Sequence, residues 1–294
     1  MMFIAGCHRS GTSLLACLMK NIVGQATAGG SLLPPAIDNP QGFYESEIFN
    51  ALNEHLLKLA GYAWDEPPLF KIDWSASKYI NHLFLARNDF ASMALESQWV
   101  EKDPRLCITA PAMEHLLLRR VPIMAILRDP SEVAISLFRR NGIAYTNGLM
   151  IWFLYNFHLA SALHSNDALV IYEQLINNKY KSDNSGGLLD TISAFLQTNQ
   201  LEASSGTAID ELNSSLINPK LNRSSYHSIS DEEEACQQNS LHHHCESIYQ
   251  AITQSPNKLS DFHQAFNTVP RLVLDIMAPL GFWQWRGDAQ QFTS

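Results

Sequence analysis

The segment Gly6-Cys7-His8-Arg9-Ser10-Gly11-Thr12-Ser13 constrains this chain more than any other. It follows the apolar run Met1-Met2-Phe3-Ile4-Ala5 and leads into the helix-forming stretch Leu14-Leu15-Ala16-Cys17-Leu18-Met19. A strand, a glycine-bounded loop and a helix in that order form an anion cradle. The glycines let backbone N–H groups converge, and the helix presents its positive end. The spacing fits G-x-x-x-x-G-K-[ST], except that Thr12 stands in the lysine position. In loops that keep the lysine, it reaches the β and γ phosphates and the next hydroxyl holds Mg²⁺. This loop is poorly built for that work. It keeps amides, the hydroxyls of Ser10, Thr12 and Ser13, and one cation, Arg9. Taken alone, it is either an anion site or a turn that binds nothing.

A second segment has the same grammar. Val121 to Leu127 is continuously apolar, as in a strand buried on both faces of a parallel sheet. It ends at Arg128-Asp129-Pro130, and Ser131 to Arg140 reads as a helix with Pro130 in its first turn and Asp129 as N-cap. Arg128 then lies at the carboxyl end of a strand, where open α/β sheets take ligands. Ser136 follows about two helical turns on. An arginine fork and a hydroxyl can clasp a phosphate; equally, Arg128 can pair with Asp129 or Glu132.

Together the two segments resemble the sulfotransferase family. Arg9-Ser10-Gly11-Thr12-Ser13 is similar to its 5′-phosphosulfate loop, and Arg128-Asp129-Pro130 with Ser136 to its 3′-phosphate site. Further stretches are similar to the bacterial branch: Asn39-Pro40-Gln41-Gly42-Phe43-Tyr44-Glu45, Glu101-Lys102-Asp103-Pro104-Arg105-Leu106, Ala168 to Glu173, the helix from Leu188 to Leu196, and Ile217 to Arg223. The resemblance runs from Met2 to Arg223 and fades beyond. It implies a three-layer α/β fold of the P-loop kind, with a central parallel sheet flanked by helices. It also implies sulfuryl transfer from 3′-phosphoadenosine 5′-phosphosulfate to a hydroxyl or amine, without a metal.

The resemblance assigns the parts. Arg9 and the amides and hydroxyls of Ser10, Gly11, Thr12 and Ser13 hold the 5′-phosphate, with His8 a further contact. Arg128 and Ser136 hold the 3′-phosphate, Tyr172 lies beside the adenine, and Arg223 closes over the 3′-phosphate. Lys102 stabilises the transferring oxygens. The acceptor needs a general base; Glu45 is the first candidate, Asp103 the second and His8 the third. Each has an ordinary alternative: a helix N-terminal glutamate on the dipole, a charged turn that pairs internally, a spectator. Tyr172 equally reads as a core tyrosine. Trp152, Tyr155 and Asn156 either wall the acceptor pocket or are core. Two other functions stay open, a P-loop small-molecule kinase and a non-catalytic nucleotide-binding or interaction protein.

A net charge of −9 over 294 residues argues against nucleic-acid binding, which needs a basic face. Two local arginine sites can still take a polyanionic nucleotide. Five scattered cysteines without a C-x-x-C pair read as reduced thiols, and no basic n-region opens the chain, so a cytoplasmic protein is expected. The longest apolar stretch, Gly148 to Leu163, contains Asn156 and His158 and is too short to span a bilayer; it reads as a buried amphipathic helix. No partner other than an acceptor substrate is implied.

The organisation expected is one domain over 1–254 and a tail, 255–294, of unknown packing. Helices are expected over Ser46–Leu59, Ala76–Ala94 and Ile108–Arg119, and a second strand over Gln98–Glu101. Loop signals fall at Gly24–Gly42, Ser182–Gly187 and Ala203–Gly206. His242-His243-His244-Cys245 looks metal-like, but consecutive helical residues point in different directions, so a helix face after the acidic Asp231–Glu234 run is the better reading.

Overall fold

The computed structural model describes residues 1–23, 31–34, 42–95, 99–176, 187–203 and 240–280. The loop segments expected at 24–42, 182–187 and 203–206 lie largely outside them. Wholly outside are the basic segment Ile217–Arg223, the acidic run at 231–234 and the aromatic tail Phe282–Trp285.

Four strands form one sheet: β1 (Met2–Ala5), β2 (Val100–Lys102), β3 (Ile123–Leu127) and β4 (Ala168–Ile171), in the order β2-β1-β3-β4. Every pairing is parallel. Met2 faces Val100, Phe3 faces Ile123 and Met124 faces Ala168. Parallel strands are covered on both faces, which explains why these strands are apolar without alternation. Their side chains still alternate in direction. Phe3, Ala5, Ile123, Ala125, Leu127, Leu169 and Ile171 enter one core. Met2, Ile4, Met124, Ile126, Ala168 and Val170 enter the other.

The second core is closed by α1 (Thr12–Val23) and α8 (Leu188–Thr198), with Leu15, Leu18, Met19, Ile192 and Phe195 inside. The first is closed by α2 (Glu47–Ala60), α3 (Ser77–Leu95), α4 (Leu106–Leu117), α5 (Pro130–Asn141) and α6 (Tyr145–Ala162). A short α7 (Tyr172–Ile176) follows β4 directly, so Tyr172, expected at a strand end, opens a helix. The result is the three-layer α/β arrangement, sheet between helices. Its switch point lies between β1 and β3: β1 pairs with β2 on one side, and β3 passes to β4 on the other. Open α/β sheets take their ligands at such a point, outside the carboxyl ends of the strands.

Local chemistry fixes the element ends. Asp129 caps α5, its Oδ1 accepting from the N–H groups of Ser131 at 2.8 Å and Glu132 at 3.0 Å, with Pro130 in the first turn. The second strand begins at Val100, two residues later than expected, in the register set by Met2. The third departure is α6. Its sequence suggests one apolar face, yet all but two of its residues from Tyr145 to Ala160 are buried. It packs between α4 and α5 and against the C-terminal helices, so no face is left for water.

Those helices are α9 (Ser240–Gln254), α10 (Lys258–Ala265) and α11 (Arg271–Leu280). Phe262, Phe266 and Val273, beyond residue 254, are fully buried in the first core. The Phe266 ring lies 5.6 Å from that of Trp152 and 5.4 Å from that of Phe153. On α9, His242 meets the Tyr145 hydroxyl at 2.8 Å while Cys245 is buried, so the His-His-His-Cys run faces different neighbours. Among the described residues, no helix is long and apolar enough to cross a membrane.

Candidate active site

The loop from Gly6 to Gly11 leaves β1 at the switch point. Gly6 is required by proximity: a Cβ there would sit 2.6 Å from the Ile126 carbonyl oxygen. Gly11 has φ +92°, and a Cβ there would lie 2.4 Å from the Tyr172 ring. Only glycine meets both conditions at Gly11. Ser10 folds inward, its N–H and hydroxyl both donating to the Cys7 carbonyl, at 3.1 and 2.6 Å. The chain then enters α1 at Thr12, and the first amides of a helix have no partner within it. The Ser13 hydroxyl donates to the Phe43 carbonyl at 3.3 Å, which ties the loop to the arch 42–46.

The two arginines expected in separate cradles meet. Arg128 donates from its NH1 group to the Arg9 carbonyl at 2.8 Å. Arg9, at φ +69°, donates from Nε to the Ser136 hydroxyl at 2.9 Å. The Arg128 guanidinium also lies 4.2 Å from the Tyr172 ring centroid and pairs with Glu132 at 3.1 Å. Its own carbonyl accepts from the Trp152 indole at 2.9 Å. The sequence left Arg128 open between a ligand contact and an ion pair; the Glu132 pair forms. Tyr172 is buried between Gly11 and Arg128, which pushes its hydroxyl pKa up through desolvation.

A second cluster lies beside the loop, where the arch meets the end of β2. Lys102 and Glu45 form a buried ion pair. The Glu45 carboxylate also accepts from Asn50 at 2.8 Å and has Arg105 at 3.9 Å. Burial pushes the Glu45 pKa up, the Lys102 charge pulls it down, and Asp103 adds repulsion. Asp103 is wholly enclosed: Arg105 grips it with Nε and NH2, both at 2.9 Å, the Arg105 backbone N–H adds a third bond, and Asn53 a fourth at 2.9 Å. Thr109 in turn holds Asn53 at 2.6 Å. This carboxylate fixes Arg105 and has no direction left for a substrate. Arg105 itself is driven further toward its charged form, against desolvation, by Asp103 and Glu45.

His8 connects the two clusters. Its ring packs 4.7 Å from Trp64 and 5.2 Å from Tyr155. Its Nε2 is buried without a hydrogen-bond partner among the described residues. Burial comes first, then the charges of Arg105, Lys102, Arg140 and Arg9, in holding its pKa well below 6.5. The imidazole is therefore held neutral within the field of four cations, of which Lys102 is paired with Glu45 and Arg105 with Asp103.

Of the expected site residues, the structure brings Arg9, Gly11, Arg128, Ser136 and Tyr172 together, with His8, Ser10, Thr12 and Ser13 on the same loop and helix start; Glu45 and Asp103 belong to the second cluster, paired with Lys102 and Arg105, whose charges reach His8. Arg223 lies outside the described residues. The three expected pocket walls are all fully buried: Trp152 donates to the Arg128 carbonyl, Tyr155 packs on the His8 ring, and Asn156 donates back to the Trp152 carbonyl at 2.8 Å. Sequence reading missed Arg105, Trp64 and Arg140. Arg105 was visible as the last residue of Lys102-Asp103-Pro104-Arg105, but nothing local marks Trp64.

Two solved structures are similar to this chain. One is a sulfotransferase domain from the Synechococcus PCC 7002 olefin synthase, at 16% identity and a TM-score of 0.42, covering 92% of this chain and 95% of that one. The other is a sulfotransferase domain from the curacin biosynthetic pathway, at 15% identity and a TM-score of 0.38, covering 81% and 95%. No family profile matches the chain, and no curated protein does.

Proposed function

We propose that the chain is a sulfotransferase that uses 3′-phosphoadenosine 5′-phosphosulfate and a hydroxyl or amine acceptor. One observation carries the reading: the Gly6–Ser13 loop and the Arg128–Ser136 segment are joined directly, Arg128 to the Arg9 carbonyl and Arg9 to the Ser136 hydroxyl. The two segments thus adjoin at the ends of β1 and β3, which supports a ligand with two separated phosphates. The residues fit such a group. Gly11 takes the left-handed turn that brings the loop into α1, whose N-terminal end is positive, and the His8 Nε2, without a hydrogen-bond partner among the described residues, lies in the field of Arg105, Lys102, Arg140 and Arg9. Thr12 leaves no lysine for a γ-phosphate.

When bound, the nucleotide supplies the sulfuryl group and leaves as adenosine 3′,5′-bisphosphate. Sulfuryl transfer is treated like phosphoryl transfer, where positioning and electrostatics dominate. Arg9 and the amides of Gly11 to Ser13 would take up the negative charge left on the 5′-phosphate as the S–O bond breaks, Ser10 being turned inward onto the Cys7 carbonyl. Arg128 and Ser136 hold the 3′-phosphate, with Tyr172 as the platform that orients Arg128. Lys102 supplies positive charge at the transfer centre, and Glu45 accepts the proton released as the acceptor oxygen or nitrogen bonds to sulfur. Burial raises the proton affinity of Glu45, which suits a base. Asp103 acts through Arg105.

The test is incubation of the protein with radiolabelled sulfate donor and a fractionated cell extract in EDTA, followed by mass spectrometry for the added SO₃. Metal-independent transfer is expected. Turnover of ATP that requires Mg²⁺ would make the chain a kinase. Binding of the bisphosphate with no transfer to any fraction would make it a non-catalytic nucleotide-binding protein.

A further inference from the structure

Two exposed histidines that the proposed mechanism does not use meet across a pair of helices. His55 on α2 places its Nε2 3.4 Å from the Nδ1 of His82 on α3, with the ring centroids 5.1 Å apart. The packing beneath them sets the pair. Phe49, earlier on α2, lies 4.9 Å from Phe90, later on α3, and both of these rings are buried. The two helices therefore run antiparallel, joined by the phenylalanines on the buried side and by the histidines on the exposed side.

The separation fits a shared cation better than a hydrogen bond. A well-made N–H bond to its acceptor spans about 2.7–3.2 Å, and the histidine nitrogens, at 3.4 Å, stand beyond that range. Two imidazole nitrogens, each about 2.0–2.1 Å from one tetrahedral Zn²⁺, stand about 3.3–3.4 Å apart. With the same bond lengths, the right angle of an octahedral ion would draw them in to about 2.9 Å. Among the described residues, no third His, Cys, Asp or Glu side chain joins them to make a larger ligand set. We propose that His55 and His82 form a zinc site that links α2 to α3, with water as the remaining ligands. Helix α2 also carries Asn50 and Asn53, which donate to Glu45 and Asp103, so the link steadies the helix that holds both carboxylates. The site is independent of the sulfotransferase reading.

The experiment uses the full chain, stripped with EDTA, dialysed, and titrated calorimetrically with zinc chloride near neutral pH. Diethyl pyrocarbonate labelling with and without zinc, read by mass spectrometry, then shows which histidines the metal covers. Zinc is expected to shield His55 and His82 together. His55→Ala and His82→Ala should each weaken zinc binding by at least about tenfold, since even the loss of an outer partner of a metal ligand costs that much. Both positions are exposed, so both variants should keep the wild-type urea midpoint in EDTA. The run His242-His243-His244 is the competing binder, and His243→Ala should leave zinc affinity unchanged. No zinc binding by the wild type, undiminished binding in His55→Ala and His82→Ala, or its loss in His243→Ala would overturn the proposal.

Discussion

Replacing Gly11 with alanine tests how tightly the loop is coupled to Arg128. The new Cβ meets two separate penalties. Backbone at φ +92° is left-handed, which costs an L-residue about 1–2 kcal/mol. The added carbon would also lie 2.4 and 2.5 Å from two Tyr172 ring carbons, so the ring must move, and overpacking of this kind costs about 1–3 kcal/mol. The sum, about 2–5 kcal/mol, is a large share of the roughly 5–15 kcal/mol typical of a folded domain. The ring cannot move without consequence, because Arg128 lies 4.2 Å over it and also holds the Arg9 carbonyl. Gly11→Ala should therefore lower the urea midpoint and weaken adenosine 3′,5′-bisphosphate binding together. Tyr172→Ala in the same chain removes the overlap but not the backbone strain. The double variant should lose less stability than the two singles added, by about 1–3 kcal/mol, which is a coupling of the size expected for residues in contact. Additive losses, or a Gly11→Ala protein as stable and as tight-binding as the wild type, would refute the reasoning.

Other expectations concern single side chains. Arg128→Ala removes a charged donor from the proposed 3′-phosphate site and should weaken bisphosphate binding by about 10- to 100-fold in calorimetry, with AMP affinity much less affected. Glu45→Gln should slow transfer while leaving bisphosphate affinity within a few-fold, and equal rates would remove Glu45 as the base. Asp103→Asn should instead cost stability, on the order of 3 kcal/mol by denaturant melt, since it leaves the buried Arg105 charge half-paired. Glu101 is fully buried beside Ser46, and desolvation raises its pKa from 4.5 to about 7. A carboxyl whose folded pKa is raised stabilises below its unfolded value and loses that contribution as pH climbs through the folded one. Glu101 should thus make the protein less stable by about 3 kcal/mol between pH 4.5 and pH 7 and above. Glu101→Gln should flatten that part of the stability profile, and an unchanged profile would count against the assignment.

The parts of the site set by local chemistry could be read from the chain. The Gly6–Ser13 loop, the Asp129 cap with Pro130, and the apolar strand Ile123–Leu127 each carry their cause within a few residues, and the structure has them there. Helix α2 and helix α3 begin within one residue of the expected starts. What could not be read depends on contacts far apart in sequence. Asp103 looked like a candidate base because nothing near it reveals Asn53 and Thr109, which join Arg105 in closing it off. The proximity of Arg9 to Ser136 spans 127 positions and exists only because β1 and β3 are neighbours. Likewise Trp64 sits in a loop with no pattern, and the Tyr155 hydroxyl, bonded to its carbonyl at 2.8 Å, helps hold it against His8. The apparent one-sidedness of α6 failed for a related reason: His158 meets the Pro68 carbonyl at 2.7 Å, and Trp152 and Phe153 are covered by Phe266 from the far end of the chain.

The most direct test of the paired cradles is a calorimetric comparison of three ligands on the wild-type protein: adenosine 3′,5′-bisphosphate, adenosine 5′-phosphate and adenosine 3′-phosphate. If the Arg9 loop and the Arg128–Ser136 segment grip one molecule, the bisphosphate binds about tenfold to a hundredfold more tightly than either monophosphate, because each loses one set of charged contacts. Equal affinity for the bisphosphate and one of the monophosphates would mean that one of the cradles holds nothing.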